Sequence, residues 1–197
     1  IIPFTYFLIT KKIDKFITVR LLVILFFGSL QAFIGWWMVK SGLIDKPDVS
    51  QYRLAIHFGN SLLILFLLFW LILDLKYKKS RIKFDLNLII FFIIFVTIIA
   101  GSLVAGMDAG LMYNTYPLMN DSFFPSDYLS LGLLDPFENP GSAQFHHRHL
   151  GLISLVAIGI FFVKNFNQKK VFLELVFLIV LIVTQFVLGV YILLNYV

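Results

Sequence analysis

The chain contains no cysteine. That removes disulfides, thiolate metal ligation and dithiol redox chemistry from consideration. Charge is also scarce: 14% of the residues are charged, against 60% hydrophobic ones that include 23 Phe. So much apolar surface cannot be buried inside a water-soluble fold of 197 residues, and the composition defines an integral membrane protein of the all-α class, a polytopic transmembrane helix bundle. An initiating Met and the basic, short-core layout of a signal peptide are both missing at the start. Ile1 to Ile9 is apolar but too short to span, and reads as the tail of a preceding helix. Val197 ends the chain directly after a spanning run, so the sequence is expected to be a fragment lacking both ends.

What is present is a series of five apolar runs, Thr18 to Val39, Leu54 to Leu73, Leu86 to Met107, His147 to Val163 and Val171 to Leu194. Each is long enough, at about 1.5 Å per residue, to cross or nearly cross a hydrocarbon core of about 30 Å. Between Asp108 and Phe145 there is no Lys or Arg, while that stretch holds Asp108, Asp121, Asp127, Asp135 and Glu138. The cations gather elsewhere: Lys11, Lys12, Lys15 and Arg20 before the first run, Lys76, Lys78, Lys79, Arg81 and Lys83 between the second and third, and Lys164, Lys169 and Lys170 between the fourth and fifth. Cations in short loops stay cytoplasmic, so these three regions face inward and the acidic stretch faces outward, as does the mixed Lys40 to Arg53 loop. The expected setting is a lipid bilayer, the chain's partner, with the histidine clusters toward its outer face. The net charge of +5 reflects topology, not nucleic-acid binding.

Four histidines lie at or beside apolar runs: His57, and the cluster His146, His147 and His149. Polar imidazoles in such places are costly and point to function, although a single histidine at a helix end equally well satisfies a carbonyl or meets the headgroups. Small or polar residues share their faces, Asn60 and Ser61 after His57, Gly151 and Ser154 after His147, and leave room for a flat macrocycle. Zinc sites gather three or four close ligands, whereas a heme iron takes one or two axial imidazoles from facing helices, so heme is the better reading. Neighbours on a helix are about 100° apart, so only one residue of the cluster serves as ligand. His146 and His149 read as interfacial, and Arg148 as the partner of a heme propionate or a loop carboxylate.

Gln31-Ala32-Phe33-Ile34-Gly35-Trp36-Trp37 echoes Gln185-Phe186-Val187-Leu188-Gly189-Val190-Tyr191. This suggests two four-helix halves, each holding a heme between two histidines, with one histidine lost at each edge of the fragment. Gln31 and Gln185 either cross-bond helices or approach a porphyrin edge, and helix bonding is the expected role. Trp36 and Trp37 read as interface anchors. Thr97, Gly101, Ala105 and Asp108 fall on one helical face as a small-residue seam, with Asp108 expected to bond turn amides. Asn114-Thr115-Tyr116-Pro117 reads as a rigid turn in a loop long enough to cap a site.

Three motifs, Gly35-Trp36-Trp37-Met38-Val39-Lys40-Ser41-Gly42-Leu43, the run from Gly106-Met107-Asp108-Ala109-Gly110 through Asn114-Thr115-Tyr116-Pro117 to Met119, and Gln144-Phe145-His146-His147-Arg148, resemble heme A synthase of the proteobacterial and mitochondrial branch. The resemblance implies an eight-helix oxidoreductase that converts the C8 methyl group of heme O to the formyl group of heme A, with a second heme b for electron transfer. By position, His147 resembles the axial ligand of that heme b, and His57 a histidine of the first-half site that holds heme O. Residues 1–73 would be the remainder of the N-terminal heme-binding half, and 86–197 the C-terminal half without its last helix. The acidic residue suspected in catalysis would precede Ile1, so no catalytic residue is assigned and the fragment alone is expected to be inactive. Heme O synthase, an electron-transfer partner and a homo-oligomer are the associations the resemblance suggests.

Histidine placement alone fits a diheme electron-transfer or quinone-binding bundle without substrate oxidation equally well. A small-solute transporter would call for broken helices near the midplane, and the runs show none.

Overall fold

A computed structural model describes residues 2–42, 48–77 and 84–195. It is helical throughout its long elements: α1 (Ile2–Ile9), α2 (Lys15–Gly42), α3 (Gln51–Tyr77), α4 (Leu86–Gly106), a short α5 (Asp135–Glu138), α6 (Pro140–Asn165) and α7 (Phe172–Asn195). Among the described residues there is no strand. Five of the helices are long and apolar enough to cross a membrane, and the protein is a multi-pass membrane protein. Their outward faces carry large apolar side chains such as Phe26, Leu65 and Phe177, which a lipid-facing surface requires and a watery one would not tolerate in such number.

α2, α3 and α6 begin earlier than their apolar runs do, while α4 begins with its run at Leu86 and α7 at Phe172, and polar caps set several of the first turns. The Asp14 carboxylate accepts from the Ile17 amide at 2.7 Å ahead of α2. Asp85 accepts from Asn87 and Leu88 at the start of α4. Asn139 accepts from Ser142 while Pro140 occupies the first turn of α6, where its missing N–H costs nothing. The correction matters most for α6, which starts at Pro140 and not at His147. Its first residues, Gly141 to Phe145, are buried. His57 likewise lies about two turns inside α3, which starts at Gln51.

The chain divides into two compact units, Ile1–Val49 with Ile56–Ile82, and Ser50–Ala55 with Lys83–Val197. In the first, α2 and α3 pair as a hairpin. Near the end away from their connection the Arg20 guanidinium meets the buried Asp74 carboxylate at 2.7 Å and lies over the Trp70 ring at 4.4 Å from the centroid. Arg20, counted among the inward cations on sequence grounds, is therefore neutralised by a partner.

In the second unit α4, α6 and α7 pack in sequence, α4 against α6 most closely. The first turn of α3 crosses the end of α4 at Gly106, where a Cβ would lie 2.5 Å from the Gln51 Cα. Residues 107–139, expected as a loop, form a folded cap over the start of α6, with short helical turns at Ala109–Leu111 and Gly132–Leu134. Beyond the expected Asn114–Pro117 turn, Thr115 ties the cap to residues 118 and 120: its hydroxyl donates to the Leu118 carbonyl at 2.9 Å and accepts from the Asn120 amide at 2.7 Å.

Candidate functional site

His147 sits on the face of α6 turned to α4. Its Nδ1 lies 3.1 Å from the Thr97 carbonyl, which can only accept, so Nδ1 carries the proton and Nε2 keeps its lone pair. No hydrogen bond to Nε2 is formed among the described residues. The ring reaches this position because α4 has no side chain at Gly101, where a Cβ would stand 2.8 Å from the His147 Cε1. One turn away Thr97 locks the two helices: its hydroxyl bonds to the Ile93 carbonyl and to Ser154 Oγ, each at 2.8 Å. The small-residue seam foreseen on α4 is thus the seat of an imidazole.

His57 has a seat of similar build in the first unit. Gly35 on α2 leaves the gap, a Cβ there falling 3.2 Å from the His57 Cε1. Gln31, one turn earlier, places its amide nitrogen 3.2 and 3.0 Å from the two ring nitrogens. A point so nearly equidistant from both cannot lie in the ring plane without overlapping Cε1, so the amide covers the ring face. The surrounding network fixes which way the amide points. Asn60 Nδ2 donates to the Phe27 carbonyl at 3.1 Å and to Gln31 Oε1 at 2.6 Å, which leaves Gln31 Nε2 as a donor toward Ser61 Oγ at 2.6 Å and the His57 carbonyl at 3.2 Å.

Several expectations change here. Asn60 and Ser61 do not line a gap for a macrocycle; both are spent on Gln31. Ser154 is almost fully buried against α4, and of the four small or polar neighbours only Gly151 faces open space, with nothing within 4 Å of a Cβ placed there. Gln31 bonds helices as expected, whereas Gln185 is exposed on α7. Asp108 makes no side-chain cap bond; it is exposed and adopts a left-handed backbone at φ 50°.

Among the described residues Arg148 forms no ion pair with a carboxylate. Its NH1 donates to the Thr115 and Leu118 carbonyls at 2.8 and 3.4 Å, and its NH2 to the Tyr113 carbonyl at 2.6 Å, while its buried Nε has no partner. Gln144, one turn earlier, donates to the Gly110 and Tyr113 carbonyls at 3.0 and 3.1 Å. Together they pin the cap to α6. His146 and His149 belong to the same contact: the His146 ring lies beside Tyr128, and the His149 ring lies against Phe123 of the cap and bonds the Phe145 carbonyl at 2.8 Å.

Sequence reasoning missed the residue on which the cap turns. Asp135 is completely buried and accepts from the amides of Leu129 and Leu131 at 2.9 and 3.2 Å, from Asn139 at 3.3 Å and from the Ser142 hydroxyl. Burial pushes its carboxyl up, but these donors outweigh burial and hold it below the usual aspartate range. The available signal was Asp135 four residues before the Asn139-Pro140 helix start.

The molecule is a polytopic helical membrane protein that presents single imidazoles on glycine seats between paired helices. Among the described residues no three His, Asp or Glu side chains converge as a metal cage, and lone imidazoles are the donor set an axial heme position takes.

The chain belongs to the COX15-CtaA family, described as cytochrome oxidase assembly protein, whose family model matches residues 1–197. It is similar to the heme A synthase of Wolbachia pipientis wMel, 42% identical over 96% of this chain and 56% of that protein. It is also similar to the heme A synthases of Pelagibacter ubique, 40% identical over 96% of this chain and 58% of that protein, and of Nitrosospira multiformis, 38% identical over 83% and 49%. The chain thus spans about half the length of the curated relatives it matches. No solved structure matches it.

Proposed function

We propose that the protein acts in heme A biosynthesis as an oxidoreductase, taking part in the conversion of the C8 methyl group of heme O to the formyl group of heme A. Membership of the family and the names of the relatives support heme A synthesis as the process, and the methyl oxidation is the step we assign within it. The observation that carries the reading to this chain's residues is the state of His147, whose proton is held on Nδ1 by the Thr97 carbonyl so that Nε2 is free to ligate. His147 would hold a heme b in the second half, residues 86–197, and His57 would serve the first-half site, within residues 1–73, that receives heme O.

Bound heme would supply the redox-active iron. The chain's own residues do the rest. Thr97 fixes the tautomer, Gly101 and Gly35 admit the rings, and the apolar helices keep water from the imidazoles. The cap over α6 closes the outer end of the His147 seat, and Arg148 Nε is the donor left for a propionate. We place the protein in the bacterial inner membrane with both seats toward the periplasmic side, because the cap carries acids and no Lys or Arg. Heme O synthase, as the source of a lipophilic substrate, and an electron-transfer protein would be its partners.

Reconstitution of the complete gene product with heme O tests this. Pyridine hemochrome spectra are expected to show heme O converted to heme A. Retained heme with heme O unchanged would overturn the enzyme in favour of a diheme electron-transfer or quinone-binding protein.

A further inference from the structure

We infer that Gln31 is the positioning residue of His57: its amide, clamped by Asn60 and Ser61, lies on the imidazole face and sets the plane in which that ring meets a ligand. The inference rests on the heme reading of His57 and adds to it a residue that does not itself touch iron.

The geometry has three parts. His57, Asn60 and Ser61 share one face of α3, at spacings of three and four residues, and a single side chain on α2 reaches all three. That side chain is fully engaged. Its oxygen accepts from Asn60, and its nitrogen has Ser61 Oγ and the His57 carbonyl as acceptors, so the amide cannot turn without leaving polar atoms unpaired among apolar helices. Finally, the amide covers the ring from one face while the missing Cβ of Gly35 lets the ring edge settle on α2. The amide therefore takes up neither nitrogen's in-plane direction.

The contrast with His147 shows what kind of control this is. There a carbonyl decides which nitrogen carries the proton. At His57 the amide constrains the tilt of the ring and leaves the choice of nitrogen to whatever else approaches. Outer-shell partners of this kind typically change metal affinity by about 10–100-fold when removed.

The test uses the complete gene product purified with bound heme, with heme stoichiometry and low-spin ferric EPR as readouts. H57A comes first: it is expected to remove or transform one heme signal, and if it changes nothing, the heme reading of His57 fails regardless of Gln31. Gln31→Met keeps the side-chain length and removes the amide. It is expected to shift the g values of the His57-dependent signal and lower heme affinity there about tenfold, while the His147-dependent signal stays. Ser61→Ala, which frees the amide to turn, is expected to shift the same signal by a smaller amount, and it decides the matter if Gln31→Met fails to accumulate. If H57A abolishes the signal while Gln31→Met, or Ser61→Ala in its place, leaves g values and affinity as in the parent protein, the inference is overturned.

Discussion

At the scale of single residues, two glycines control the imidazoles to different degrees. A methyl group at Gly101 would stand 2.8 Å from the His147 ring, closer than carbon atoms pack, whereas at Gly35 it would stand 3.2 Å from the His57 ring and need only a small retreat. Gly101→Ala is therefore expected to displace His147, costing about 1–3 kcal/mol of packing and most of the heme that depends on it. Gly35→Ala is expected to lose distinctly less of the His57-dependent heme. Heme-to-protein ratios of the two variants, each compared with the matching histidine-to-alanine variant, check the order; equal losses would contradict it.

Among elements, the cap on α6 is the part the sequence disclosed least. The five spans were legible because apolar runs of that length have few other uses. The first two turns of α6 were not, since Gly141, Ser142 and Gln144 look like loop residues until a folded cap buries them. The thread from Thr97 to Gly101 could be read from spacing alone, but that His147 fills it depends on how α4 and α6 are set against each other, which no spacing reveals. Asp108 drew notice by its place at a helix end, while Asp135, buried among donors, had only an Asn-Pro cap signal nearby to mark it.

That carboxylate gives the cap a defined response to acid. Its folded-state pKa lies below the unfolded one, so its contribution is complete above the usual aspartate range and disappears as pH falls through the lowered value. Limited proteolysis within residues 107–139 is expected to begin only under strongly acid conditions. Asp135→Ala strands the Leu129 and Leu131 amides and is expected to cost about 3 kcal/mol or more, with cleavage of the cap already at neutral pH.

For the whole molecule, the absence of cysteine from this chain simplifies a direct test of orientation, because a thiol introduced here is the sole one within these 197 residues and the parent protein labelled in parallel accounts for any other. Ser122 in the cap and Asn167 between α6 and α7 are both exposed. With a membrane-impermeant maleimide, Ser122→Cys is expected to react in intact cells and Asn167→Cys only after permeabilisation. The reverse pattern would invert the topology.

The pairing of Arg20 with Asp74 bears on how the first hairpin rests in the bilayer. A guanidinium and a carboxylate held as a neutral couple spare α2 and α3 a bare ion against acyl chains, and the Gln31 clasp farther along does the same for its amides. At these two levels the paired helices thus show lipid no unmatched charge or amide.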